Sequence, residues 1–153
     1  MEIILKPVAI VKNVRTERED DNWGEINSEI TLIPEIPAEA LTGLKEFSHI
    51  EVIFYFDKIS EADTKTYSRI PRGMHGLPEV GIFTQRASKR PNKLGVTICK
   101  LTDIKDKTIF VKGLDAIDGT PVLDIKPALK EFLPDRNEVT QPDWVNEIMK
   151  NYW

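Results

Sequence analysis

Two stretches of the chain gather groups able to do chemistry. Residues 81–97 read Gly-Ile-Phe-Thr-Gln-Arg-Ala-Ser-Lys-Arg-Pro-Asn-Lys-Leu-Gly-Val-Thr and set Arg86, Lys89, Arg90 and Lys93 in one polar run. Cations so spaced hold anions, and arginine grips a carboxylate or phosphate as a bidentate fork. Residues 113–127 place Asp115, Asp118 and Asp124 around the turn signal Asp118-Gly119. An Asx turn uses one of these carboxylates. The others can pair with Arg86 and Arg90 or hold a cationic group of a ligand.

The charge pattern around these stretches is uneven. The chain carries a net charge of -4, yet residues 64–102 hold eight basic residues against Glu79 alone, a surplus of seven. The basic residues are Lys65, Arg69, Arg72, Arg86, Lys89, Arg90, Lys93 and Lys100. The remainder of the chain is therefore strongly acidic. Such segregation gives an acidic protein a face for an anionic partner; the alternative is a solvated loop surface.

Several chemistries are excluded. Cys99 is the only cysteine, so the chain makes no internal disulfide and no cysteine-built zinc site. Its expected role is a small buried apolar residue. His49 and His75 are too isolated to suggest a metal site, and His49 reads as a hydrogen-bonded structural histidine. No Gly-x-Gly-x-x-Gly, Gly-x-x-x-x-Gly-Lys or Gly-x-Ser-x-Gly pattern occurs. No apolar run nears the roughly 18 residues of a membrane span. Residues 1–7 lack the basic start and cleavage site of a secretory signal, so the cytoplasm is the expected compartment.

The elements that must position these groups are mostly strands. Residues 3–14, 28–33, 47–56, 80–83 and 122–126 read as strands, and 96–104 with 108–114 as a hairpin across Asp106-Lys107. Residues 47–56 are the most apolar and read as a buried central strand. Residues 16–24, 57–78 and 84–95 read as loops, and loops as long as the second are often functional. Trp23 stands alone in the first of them and must either pack onto the core or line a site. Residues 38–41 form a short helix stopped by Gly43. A C-terminal helix starts at Thr140, with Thr140 as its cap, and shows one apolar face of Val145, Ile148, Met149 and Tyr152. One mostly β domain over 1–153 is expected, with short peripheral helices.

Residues Arg90-Pro91-Asn92, Leu94-Gly95, Gly113-Leu114-Asp115 and, above all, Asp118-Gly119-Thr120-Pro121-Val122-Leu123-Asp124-Ile125-Lys126-Pro127 closely resemble the TsaA-like (YaeB, TrmO) family of tRNA methyltransferases. Gly43-Leu44 and Phe47-Ser48-His49 fit its upstream pattern, and the likeness runs from about residue 7 to 132. The resemblance implies a small, non-Rossmann β-barrel that binds S-adenosylmethionine, forms a homodimer and methylates N6 of threonylcarbamoyladenosine beside the tRNA anticodon. Carried over by position, it implies cofactor contacts at Asn22, Trp23 and Gly24, at Asp57 and Lys58, at Arg86, at Val96, and at Lys112, Gly113, Leu114 and Asp115. The family has Ser-Pro where this chain has Ala87-Ser88, and Arg-Pro-Asn-Pro where it has Lys93 last. The long members also carry a further domain.

Methyl transfer from a sulfonium is an in-line displacement governed by positioning. A carboxylate favours the cationic sulfur, and Asp115 is the first candidate. Asp118 or Asp57 can accept the proton of the nucleophile. Arg86 and Arg90 can take the cofactor carboxylate or a phosphate. Lys89, Arg90, Asn92 and Lys93 form the expected substrate loop. No metal and no membrane enter this reading. Two alternatives stay open: the same chemistry on another small molecule or nucleic acid, and a non-catalytic module that binds RNA or an anion.

Overall fold

Alternation of inward and outward side chains builds the central strands of the computed structural model, which describes residues 1–153. In β3 (His49–Tyr55) Ile50, Val52 and Phe54 point into the core. In β6 (Leu94–Lys105) Gly95, Thr97, Cys99 and Leu101 do the same. With β1 (Ala9–Asn13), β2 (Asn27–Leu32), β7 (Thr108–Lys112) and β8 (Pro121–Pro127) they form a closed barrel in the order β1-β2-β7-β6-β3-β8. Every neighbouring pair is antiparallel, and β8 pairs with β1 to close the ring. Closure leaves no open edge in this sheet. The mostly β barrel is thus the architecture of the chain. Its centre is filled by Val11, Ile30, Ile50, Val52, Phe54, Ile109, Val111, Leu114 and Val122.

The connectivity decides where the long loops fall. The β1–β2, β3–β6 and β7–β8 connections all leave from the same end of the barrel, because antiparallel neighbours reverse direction at each step. The β3–β6 connection holds a small two-stranded sheet of β4 (Ser68–Arg69) and β5 (Val80–Gly81). The opposite end carries the β2–β3 segment and the tight β6–β7 turn. The only α-helix, α1 (Asp143–Met149), follows β8 after a largely exposed stretch that returns the chain to the loop-rich end.

Three local expectations are corrected. The first strand begins at Ala9, not at residue 3: Ile3, Ile4 and Leu5 are exposed, and pairing starts only where Val8 N–H donates to the Val122 carbonyl. Pro7 has no N–H to extend that ladder. The short helix expected over 38–41 is present, as a 3-10 helix. The strand expected over 80–83 ends at Gly81, and Ile82–Thr84 curls into a 3-10 turn that buries Ile82 and leaves Phe83 outside. Thr140 does not cap α1; Pro142 occupies that position and supplies no side-chain acceptor.

Gly95 is required where β3 and β6 meet. It faces Phe54 across the ladder, and a Cβ there would lie 2.5 Å from Phe54 Cζ. Gly95→Ala is expected to cost about 1–3 kcal/mol through overpacking. Urea denaturation should show a lowered midpoint, partly recovered by a second change, Phe54→Leu.

Candidate functional site

The three loops at the loop-rich end enclose a cavity of about 870 Å³. Phe54, Val96, Thr97, Asp115, Ala116, Ile117 and Thr120 make its floor at the barrel mouth. Its walls come from 18–20 with Trp23, from Phe56, Asp57, Lys58 and Ile59, from 69–73, from Gln85, Arg86, Ala87, Ser88 and Lys89, and from Ile148, Met149, Tyr152 and Trp153. The volume suits a nucleoside-sized ligand, and the lining mixes aromatic and aliphatic groups with a few charges, as such pockets do.

Asp115 is the most constrained charge in the cavity. Gly113, at φ 82, turns the chain out of β7, and fully buried Leu114 anchors the next residue. Asp115 then receives hydrogen bonds at both carboxylate oxygens, from the Thr97 hydroxyl on one side and the Tyr152 hydroxyl on the other. Thr97 is itself only 4% exposed. Burial, and then the Asp115 charge, raise the Tyr152 hydroxyl well above the usual phenol range. Beneath it, burial and then Asp115 push the Cys99 thiol up to about 12, which keeps it protonated and inert at neutral pH. The expected role of Cys99 as a buried apolar residue therefore holds.

Trp23 satisfies both expectations raised for it. It is 3% exposed, lines the cavity, donates from Nε1 to the Glu19 carbonyl at 3.1 Å, and lies 4.4 Å under the Arg15 guanidinium. Asp57 and Lys58 reach the cavity wall as a pair, 3.3 Å apart. Arg86 also reaches it, donating to the Val96 carbonyl. Asn22 and Gly24 flank Trp23 without lining the cavity, and Lys112, Gly113 and Leu114 stand behind Asp115. Lys112 pairs outward with Glu25 at 2.6 Å. Asp118 is not brought to the cavity. It accepts from the Asn13 N–H at 3.0 Å, and its own N–H binds the Arg15 carbonyl, so it fixes the β7–β8 turn.

The basic run is partly neutralised from within. Arg72 pairs with Asp21 at 2.9 Å, Lys89 with Asp63 at 2.8 Å, and Lys93 with Glu61 at 2.6 Å. Lys93 is only 8% exposed, stands 4.9 Å over the Tyr55 ring, and also donates to the Ile59 carbonyl at 3.3 Å. Its φ of 52 and its N–H bond to the Arg90 carbonyl are both closed to a proline. Arg69, Arg86 and Arg90 instead donate to backbone carbonyls, of Lys89, Val96 and Gln85, and keep their charge uncompensated. Asn92 is exposed on the same loop.

Sequence reasoning missed Thr97, Tyr152, Arg72 and Gln85 as site residues. Tyr152 was visible only as the last member of an apolar helical face. Thr97 carries a signal: it is the polar residue at an inward position of an otherwise apolar strand.

Residues 13–133 match the family described as the tRNA-methyltransferase O N-terminal domain. The tRNA (adenine(37)-N6)-methyltransferase of Escherichia coli is 40% identical over 116 residues, covering 71% of this chain and 49% of that protein. A probable S-adenosyl-L-methionine-binding protein of Methanothermobacter thermautotrophicus is 36% identical over 136 residues, covering 86% of this chain and 94% of that one. A crystal structure of TrmO from Pseudomonas aeruginosa superposes with a TM-score of 0.70 at 26% identity, covering 93% of this chain and 64% of that one. The chain spans less than half the length of the curated tRNA methyltransferases it matches.

Lys93 generates a prediction of its own. Its hydrogen bond and charge hold the Glu61 carboxyl below its ordinary 4.5. The folded chain thus takes up the Glu61 proton less readily than the unfolded chain, and the pair stabilises the fold above pH 4.5 and ceases to as pH falls through the lowered value. Lys93→Ala should lower the thermal midpoint at pH 7, and the gap from wild type should narrow below pH 4.5. Melting curves from pH 3 to 7 check this; a gap of constant size would assign the loss to packing alone.

Proposed function

The chain belongs to the tRNA-methyltransferase O N-terminal-domain family, and from that premise we propose that it is an S-adenosylmethionine-dependent methyltransferase acting on N6 of the adenosine beside the tRNA anticodon. The observation that carries this reading is the cavity at the barrel mouth with Asp115 fixed on its floor. The residues present fit the cofactor. Phe54, Phe56, Ile59 and Val96 offer apolar surface for a base. Asp115 offers a carboxylate for a cationic sulfur, and Arg69 and Arg86 offer guanidinium groups for a carboxylate. Arg69 Nε is buried with no partner, a donor left unused by the chain itself. When bound, S-adenosylmethionine supplies an electrophilic methyl group on a positive sulfur.

The chain's own groups would then orient and move protons. Of the two carboxylates considered as proton acceptors, Asp57 stands on the cavity wall and Asp118 serves the turn, so Asp57 is the stronger assignment. Trp23 and the aliphatic wall exclude water from the reacting atoms. Exposed Asn92 and half-buried Arg90, on the loop that follows Arg86, would meet the tRNA backbone, with Lys89 able to join by leaving Asp63. Lys93, buried in its ion pair, would shape that loop from within. The threonylcarbamoyl group as part of the substrate, one functional domain over 1–153 and action in the cytoplasm belong to the same proposal.

Calorimetry should detect S-adenosylmethionine binding, and Asp115→Ala should weaken it about 10- to 100-fold, the loss expected when a charged hydrogen-bonding partner is removed. Labelled methyl should pass to tRNA bearing the threonylcarbamoyl group. Transfer only to tRNA lacking the group would reassign the substrate, and no binding at millimolar cofactor would remove the methyltransferase reading.

We also propose a homodimer, supported by the family resemblance and by Ile10 and Phe83, exposed outside the cavity. Light scattering at micromolar protein should return twice the 17.5 kDa chain mass, and the single-chain mass would reject it.

A further inference from the structure

Residues 151–153 cross the mouth of the cavity as a strap. The Asn22 N–H donates to the Asn151 carbonyl and the Trp23 N–H to the Tyr152 carbonyl, each at 2.8 Å. Gly24 lies so close beneath the strap that a Cβ there would stand 2.7 Å from the Trp153 carbonyl carbon. Arg72, tied to Asp21, rests 5.8 Å from the Tyr152 ring. By contrast, the stretch that tethers the strap to β8 is exposed from 129 to 142, and its backbone hydrogen bonds are local ones, such as Phe132 to Leu129 and Glu138 to Asp135. The strap is thus held at its tip and loosely attached behind it.

With the strap in place the cavity still measures about 870 Å³. That is at the upper end of the range for a drug-sized ligand, so Tyr152 is a wall of the cavity and not a plug in it. Its hydroxyl reaches one oxygen of Asp115 while Thr97 holds the other. A carboxylate pinned at both oxygens keeps one orientation toward the cavity, and each oxygen retains a lone pair for a ligand.

We propose that Tyr152 is a positioning residue that fixes the Asp115 carboxylate on the cavity floor, and that this contact, added to the backbone bonds from Asn22 and Trp23, latches residues 151–153 as the strap closing the ligand site. The ligand side of the inference rests on the cofactor reading above. It predicts discrimination by charge: S-adenosylmethionine and S-adenosylhomocysteine differ by a methyl group and a positive charge on sulfur. An oriented carboxylate favours the first, and loosening it should cost the first ligand more.

The test uses the full chain and the variants Tyr152→Phe and Asp115→Asn, with two readouts. Hydrogen exchange at the Asn22 and Trp23 amides reports the latch without any ligand. Both variants should speed it about tenfold, while the Val11 amide, which donates to the Thr120 carbonyl inside the barrel, should exchange as in wild type. Calorimetry with the two ligands reports positioning. Tyr152→Phe should weaken S-adenosylmethionine five- to tenfold and S-adenosylhomocysteine less than twofold. Unchanged exchange at Asn22 and Trp23 would overturn the latch. Equal loss of both ligands, or tighter S-adenosylmethionine binding, would overturn the positioning role. Wild-type protein that binds neither ligand would refute the cofactor reading and the charge discrimination with it, while the exchange readout still decides the latch.

Discussion

Asp115 accepts two hydrogen bonds from residues far away along the chain, and the site is organised around that fact. Thr97 comes from β6 in the barrel wall, and Tyr152 from the segment after α1. A part-buried carboxylate costs free energy unless it is hydrogen-bonded, and here each partner comes from a different structural layer. The pairing joins the rigid barrel to its most loosely tethered segment. It also orders the surroundings, since the same segment carries the backbone bonds that hold the Trp23 loop against the cavity.

The barrel was legible because its strands obey a period of two, and β-branched and aromatic residues crowd 47–56. Strand ends were less so. Whether Ile3, Ile4 and Leu5 join a sheet depends on a partner strand, and beyond Val122 β8 pairs with β3 and no longer with the first strand. Periodicity cannot see that. The chemistry of 81–97 and 113–127 was legible as charge and turn signals, and Asp115, Arg86, Val96 and Trp23 do meet at one cavity. Asp118 was misleading because a turn-forming aspartate and a reactive one look alike in sequence. Tyr152 was hidden for the opposite reason: its apolar ring placed it on a helical face, and only the return of the chain to the loop-rich end brings its hydroxyl to Asp115.

The basic surplus of 64–102 shows how composition can overstate a surface. Three of its cations meet acids drawn from other segments, Asp21, Asp63 and Glu61. Of the other five, Lys65 and Lys100 are exposed without an acidic partner, and Arg69, Arg86 and Arg90 donate to carbonyls, which neutralise no charge. On the cavity wall itself, the cations of this run without an acidic partner are Arg69 and Arg86, since Lys89 is paired with Asp63 and Arg72 with Asp21. Lys93 acts as an internal strut: its ion pair with Glu61 ties the 90s loop to the 57–61 loop.

The barrel closes between β1 and β8, its first and last strands, at opposite ends of the ordered sheet sequence. The closing pairs are Ala9 with Val122 and Ile10 with Pro121, and no residue of the strap belongs to the ring. The hydrophobic interior is therefore sealed by strands alone, and the ligand-facing wall is docked onto a core it does not help to close. Loss of that docking would leave a well-packed barrel with an open mouth, a defect that assays of folding would pass and only assays of recognition would find.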